Sequence, residues 1–437
     1  MYLVTFLLTV GGGLCKETGF MAVFVSAVYE FLFNSRYACV YRRVAILTTL
    51  GVFMLIWRNW YTNGTEVNMS VQDNPVSFET LHSIRRILSY AYIHGKYFLL
   101  LFVWPGVTLS YDYSLSAIPI IRSLDDCRNL LSVCVYLCVF GLLHICCVKR
   151  IIMGLFSMSI VLIPWLPASN ILFPVGTVIG ERLLYTSSVG VVLLCSSALR
   201  SDSSRLKYFL YFVLFVYYWI RTGFRVLDWS SGDSLFVRDG HSQPFSSKTQ
   251  FNLGITYMSS KQYDRAIPAL IRCAAADPMS ALPYWRIGQI EILRGNFKTA
   301  ESWLMEASTK FSATLMIKDE EIFHDIAVAV FQNKKIERAH FYLGLALEIN
   351  PNFPKGLNNF GCLLASTDAL KSVQYLNKAV SLNPHNYIYL SNLLFMAKYT
   401  KSEKIVNSTK KIFNQNFPQV LTSQLKNDCV WEFVPAT

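Results

Sequence analysis

Charged residues beside or between long apolar runs are the ones most able to do chemistry in this sequence, because charge near a membrane is costly and usually functional. Lys16-Glu17-Thr18-Gly19 lies between two apolar runs. It reads either as an ion pair at a helix end or as a lysine that binds an anionic phosphate headgroup. Glu181-Arg182, in the stretch from Phe173 to Tyr185, reads as a salt bridge fixing a loop or as a functional pair. Asp73-Asn74-Pro75 with Arg85-Arg86 reads as a solvated loop and a membrane-surface arginine pair, or as part of a site. Tyr111-Asp112-Tyr113 follows Pro105, and Asp112 there reads as a catalytic base or as a cap on the next turn. Asp125-Asp126 reads as an acidic pair at the start of the helix expected over 128–148, where it suits the helix dipole.

Other chemistries find no support. The chain has no phosphate-binding glycine loop, no GxSxG, no HExxH and no dinucleotide fingerprint. Its 11 cysteines form no CxxC pair and no metal-ligand spacing. No cofactor and no metal are expected.

The elements that position these residues follow from composition. In 437 residues, 53% are hydrophobic and 16% charged, with a net charge of +12. The charged share is well below the roughly 25% of a soluble domain, and disorder is excluded by the apolar content. The charges are unevenly spread: the first half is apolar and the second half reads as soluble. Apolar runs fall at about 1–14, 18–34, 43–57, 90–110, 128–148, 151–166, 184–199 and 207–222. A multi-spanning helical membrane domain is expected over 1–225, a linker over 226–246 and a soluble domain over 247–437.

Basic clusters orient the membrane half. Arg36/Arg42/Arg43, Lys149/Arg150 and Arg200/Arg205/Lys207 belong in the cytosol by the positive-inside rule. All three are satisfied together if 90–110 does not span. Trp104-Pro105-Gly106 interrupts that run, and Tyr90, Tyr92, His94 and Lys96 make its first half amphipathic. Residues 58–127, 167–183 and everything after about 222 then become luminal. Acceptor sequons at Asn63, Asn68 and Asn407 would be open to glycosylation.

From residue 247 the chain repeats with a period near 34. Leu253-Gly254, Ala266, Leu270 and Pro278 are followed by Ile287-Gly288, Ala300 and Leu304, then by Ile326-Ala327, Ala339, Leu343 and Pro351. Phe360-Gly361, Ala379 and Pro384 make a fourth unit one residue short, and a weaker fifth starts at Tyr387. Small residues at these places let two helices pack closely, and proline stops the second one. The expected fold is all-α: membrane helices followed by a tetratricopeptide-repeat (TPR) solenoid of four to five repeats.

The order of these pieces resembles a known family. Lys16-Glu17-Thr18-Gly19, Asp73-Asn74-Pro75, Arg86-Ile87-Leu88-Ser89-Tyr90, Trp104-Pro105, Tyr111-Asp112-Tyr113-Ser114, Ile118-Pro119 and Phe173-Pro174-Val175-Gly176 with Glu181-Arg182, then the repeats, look like the transmembrane and tetratricopeptide-repeat-containing (TMTC) O-mannosyltransferases. The resemblance implies a multi-pass endoplasmic reticulum enzyme of GT-C fold. It implies transfer of mannose from dolichyl-phosphate mannose to Ser/Thr hydroxyls of luminal proteins, cadherins especially. It also implies an inverting displacement, with a carboxylate as general base and basic groups holding the phosphate leaving group.

On this reading Lys16 and Glu17 are the candidates for the lipid phosphate, and Asp112, Glu181 and Arg182 for the rim of the luminal active site. The family's acidic pair in the first luminal loop is absent from these residues. The chain is therefore expected to be an N-terminally shortened form, with its catalytic residues unknown. The alternative is a non-catalytic membrane adaptor whose repeats bind a partner protein.

Overall fold

The computed structural model describes residues 2–34, 37, 39–61, 70–80, 83–102, 108–199, 205–310, 319–419 and 428–433. The chain divides into two compact units, Met1–Thr256 and Tyr257–Thr437.

The first unit is built from α1 (Tyr2–Cys15), α2 (Ala22–Phe33), α3 (Val40–Tyr61), α4 (Ile84–Leu101), α5 (Asn129–Val148), α6 (Ile152–Trp165), α7 (Tyr185–Leu199), α8 (Arg205–Asp228), α9 (Gly232–Ser242) and the start of α10 (Ser247–Ser259). By length and composition, α3, α5 and α8 can each cross a membrane. Only 17% of the apolar window of α5, and none of that of α8, is buried against protein. Their apolar surface therefore faces outward, as lipid requires and water would punish. The first unit reads as a membrane domain.

Between the long helices lie the loops that carry the motifs. The sharp connection from α1 to α2 depends on glycine, because a Cβ on Gly19 would overlap the Gly12 carbonyl. Lys16 sits at this bend with its side chain exposed, and its main chain holds the turn through Lys16 N to Gly12 O (2.9 Å) and Gly19 N to Lys16 O (2.8 Å). The side chain of Glu17 lies outside the described residues, as do Asn63, Asn68, Trp104, Pro105, Arg36 and Arg200.

Helix α4 is capped by Ser83, whose hydroxyl accepts the Arg86 N–H. It buries one face, with Ile93, Tyr97 and Leu100 packing into a core completed by Val76, Ile118, Ile121, Val178, Ile179 and Leu184. That core clamps the loops 70–80, 108–121 and 170–184 onto a single helix. Asp126 grips Arg128 just before α5 (Arg128 Nη2 to Asp126 Oδ2, 2.6 Å), which makes it a local ion pair at the helix start.

The expected linker over 226–246 differs from the structure, which places a helix there. Ser231 and Ser234 form a reciprocal capping box that starts α9. Gly240 lets α9 press on Leu253 of α10, and the Gln250 amide donates to the Gly240 carbonyl (2.5 Å). The serines and glycines of this stretch serve caps and close packing.

The second unit continues α10 with α11 (Tyr263–Ala276), then pairs α12 (Leu282–Leu293) with α13 (Phe297–Thr309), α14 (Asp319–Gln332) with α15 (Ile336–Ile349), α16 (Pro354–Leu364) with α17 (Ala369–Leu382), and α18 (Tyr387–Tyr399) with α19 (Glu403–Asn416). The small and leucine positions of the repeat are its core. Ala266, Leu270, Ala300, Leu304, Ala339, Leu343, Leu376 and Ala379 have no exposed surface. Turns within pairs use a left-handed residue at Lys261, Gly295, Lys334 and Lys401.

Candidate functional site

The segment 108–116 organises a polar site within the first unit. Its main chain pairs with the loop before α7, through Tyr113 N to Ile179 O (2.9 Å) and Glu181 N to Ser110 O (3.3 Å). The Tyr97 hydroxyl donates to the Val178 carbonyl (3.1 Å), fixing the same loop to α4. The neighbouring loop is held by Asn74, which has no exposed surface. Its amide donates to Asn170 Oδ1 and to the Val175 carbonyl, both at 2.8 Å.

Two ion clusters, each built on a buried aspartate, flank the segment. In the first, Asp112 Oδ2 meets Lys248 Nζ at 2.8 Å, and Lys248 also reaches Asp73 Oδ1 at 3.4 Å. The Lys248 N–H donates to Ser114 Oγ (3.0 Å), and Ser114 Oγ lies 2.8 Å from Ser246 Oγ. Asp112 is 2% exposed, and its other carboxylate oxygen finds no hydrogen-bond partner among the described residues. Burial pushes the Asp112 carboxyl above the usual carboxylate range, against the pull of Lys248 and Arg182. Burial works to lower the Lys248 ammonium, but the Asp112 and Asp73 carboxylates outweigh it and raise it.

The second cluster centres on Arg225, at the end of α8. Its guanidinium binds Glu181 Oε1 (2.5 Å), Asp239 Oδ1 (2.8 Å) and Asp228 Oδ2 (3.2 Å). Trp229 Nε1 adds a hydrogen bond to Glu181 Oε1 at 2.8 Å. Asp239, with no exposed surface, also accepts the Tyr111 N–H at 2.7 Å. The Tyr111 hydroxyl accepts from Asn252 at 2.5 Å, and burial pushes that phenol up. Such a planar fork between three carboxylates suits arginine and not lysine.

The candidates from sequence are thus treated differently. Asp112 and Glu181 come together through Tyr111, Asp239 and Arg225, but both are committed to ion pairs. Arg182 stands beside them with its side chain exposed. Among the described residues, Lys16 bonds within the α1–α2 bend and not to this network. Asn407 is exposed on α19. Sequence reasoning missed Arg225, Asp239, Lys248 and Asn170. An arginine ending a long apolar helix was a signal for the first. The middle two lay in stretches read as linker and first repeat.

The arrangement can hold three loops at one register and keep an exposed cation, Arg182, near enough to act electrostatically on the buried Asp112 carboxylate. Among the described residues, no group of three His, Cys, Asp or Glu has a geometry that could hold a metal ion.

Comparison with known proteins shows what parts of this chain are similar to. Residues 63–140, which include α4 and the 108–116 segment, match the domain described as "Protein O-mannosyl-transferase TMTC, DUF1736". Residues 247–278 match the tetratricopeptide repeat. The chain is 30% identical to Protein O-mannosyl-transferase TMTC1 of Mus musculus over 48% of its own length and 23% of that protein's. It is 25% identical to TMTC3 of Homo sapiens over 70% of itself and 35% of the relative. With TMTC4 of Homo sapiens the identity is 30%, over 55% and 37%. The chain therefore spans between about a quarter and two fifths of the length of these relatives. With that domain, these relatives and the repeats that follow, the chain is similar to the TMTC proteins in its TMTC domain and in the order of its parts.

Proposed function

We propose that this protein acts in protein O-mannosylation, transferring mannose from dolichyl-phosphate mannose to Ser/Thr hydroxyls of proteins, cadherin-type domains among them, in the lumen of the endoplasmic reticulum. The observation that carries the reading is the match of residues 63–140 to the TMTC domain, which includes the 108–116 segment that the two ion clusters hold. In this reading Arg182 and Lys16, exposed cations on two loops between apolar helices, meet the lipid-linked phosphate. Glu17 lies beside Lys16 in the sequence. Asp112 and Glu181 act as positioning residues, because each is already paired with a cation. The solenoid is luminal, and Asn407 carries a glycan. Mass spectrometry of Asn407 from cells expressing the chain tests the topology; an unmodified Asn407 with the sequon intact contradicts it.

Membranes carrying the chain, given radiolabelled dolichyl-phosphate mannose and a Ser/Thr-rich acceptor domain, should transfer label, and Arg182→Ala should reduce the rate at least tenfold. Transfer unchanged in that variant removes Arg182 from the site.

One observation favours a second reading. Both acidic candidates are tied up in ion pairs, as a scaffold would have them. A membrane adaptor that presents its solenoid to partner proteins fits that. Wild-type membranes that transfer no label but still retain an acceptor protein would select it.

A further inference from the structure

The first helices of three successive repeats carry a polar row at the repeat period. His324, Asn358 and Asn392 stand at 34-residue intervals, and Asn359 follows Asn358. They lie on α14, α16 and α18, and Asn358, Asn359 and Asn392 have no exposed surface. Rows of amide side chains inside a solenoid would be costly unless something satisfied them.

What satisfies them is main chain. Asn392 accepts the Val430 N–H (2.9 Å) and donates to the Val430 carbonyl (2.7 Å). Asn359 accepts the Glu432 N–H (2.8 Å) and donates to the Glu432 carbonyl (3.0 Å). Asn358 also reaches the Val430 carbonyl, at 3.4 Å, and donates to Asn359 Oδ1 (3.0 Å). The gripped residues are two apart, the period of an extended strand. The residue between them, Trp431, turns the other way and stacks on Phe331 with ring centroids 3.9 Å apart. At Glu432 the side chain takes a hydrogen bond from Asn386 (3.1 Å).

The row is also tuned from behind. The His324 ring lies between Asp325 (Nδ1 to Oδ1, 3.0 Å) and the Asn359 amide (Nε2 to Nδ2, 2.8 Å). With the Asn359 amide donating, Nε2 accepts and the proton sits on Nδ1. Asp325 is in turn held by Trp285 Nε1 (2.7 Å) and Gln289 Nε2 (2.8 Å) on α12. Asn359 is thereby pre-oriented to read a peptide unit on both its N–H and its C=O.

We propose that this face of the solenoid is a binding groove for an extended polypeptide, read through the main chain by Asn358, Asn359 and Asn392, and that the chain's own Asp428–Phe433 segment occupies it as an internal ligand. The partner is a protein segment in extended form with an aromatic residue in the place of Trp431. Paired amide contacts to the backbone are indifferent to most side chains, so the groove suits many sequences. The internal segment sets a threshold, because a partner must displace a ligand that is always present at high local concentration. The proposal does not rest on sugar transfer by this chain.

The test uses the full chain in detergent or nanodiscs and a fluorescein-labelled hexapeptide with the sequence of residues 428–433. Glu432→Pro in the chain removes the N–H that Asn359 accepts, while leaving the groove itself intact. The variant should bind the hexapeptide at least tenfold more tightly than wild type. Adding Asn359→Ala or Asn392→Ala to it should cost about tenfold or more in that affinity. A peptide N-methylated at the positions of Val430 and Glu432 should bind neither protein. The proposal is overturned if Glu432→Pro binds no better than wild type, or if the asparagine variants bind as well as their parent. Loss of the solenoid's cooperative thermal transition in Glu432→Pro would make the segment an integral strand, and would overturn it as well.

Discussion

Asp239 and Arg225 meet at 2.8 Å, and the same Asp239 carboxylate, with no exposed surface, accepts the main-chain N–H of Tyr111. One carboxylate thus ties the end of the long apolar helix α8 to the segment that carries Asp112. Removing it leaves Arg225 under-compensated. Asp239→Ala should destabilise the first unit by about 3–5 kcal/mol, the cost of breaking a buried pair from one side. Thermal melting in detergent, with proteolysis of the 108–121 loop, reads this out. A variant as stable and as resistant as wild type contradicts the role.

Asp112 should give a pH signature. Burial raises its carboxyl in the folded chain. A raised acid favours the protonated form of the fold. Its stabilising contribution is complete below the ordinary carboxylate pKa and is lost as pH rises through the raised value. Asp112→Asn deletes this titration. The stability difference between the two chains should therefore shift toward D112N as pH climbs from acid to neutral. A difference that is flat across that window contradicts the raised carboxyl.

Asn74 holds two loops with one amide group. Asn74→Ala leaves Asn170 Oδ1 with one donor fewer and the half-buried Val175 carbonyl without this one. The expected loss is about 1–3 kcal/mol, the range for buried groups left unsatisfied. Proteolysis in the 170–180 loop should speed up more than cleavage in the solenoid. Equal acceleration at both places would mean a global effect.

Sequence legibility followed the range of each interaction. The solenoid was readable because its contacts repeat locally: Ala300, Leu304, Ala339 and Leu343 recur at fixed offsets, and all are fully buried. The apolar helices were readable because lipid imposes one composition on all of them. The polar site was readable only in part. Glu181 and Asp112 stood out as charges near apolar runs, but Glu181 pairs with Arg225 44 residues away and Asp112 with Lys248 136 away. Nothing local marks such partners. The asparagine row had a local mark, the 34-residue spacing of His324, Asn358 and Asn392, which a search for core positions passes over because those side chains are polar.

The bend that presents Lys16 makes a further prediction. Gly19→Ala forces a Cβ into the Gly12 carbonyl, whereas Gly11 has open space around it. Overpacking of this kind costs about 1–3 kcal/mol. Gly19→Ala should lower the melting temperature and the yield of folded chain, and Gly11→Ala should change neither by much. Equal behaviour of the two variants would mean that the α1–α2 bend is not glycine-dependent.

The most direct test of mannosyl transfer is the intact mass of a Ser/Thr-rich cadherin-type domain after incubation with the purified chain in liposomes holding dolichyl-phosphate mannose. The account predicts added hexose, removable by α-mannosidase and absent when the donor is omitted. An acceptor of unchanged mass, with the chain folded and correctly inserted, contradicts it and leaves the solenoid as the functional part of this chain.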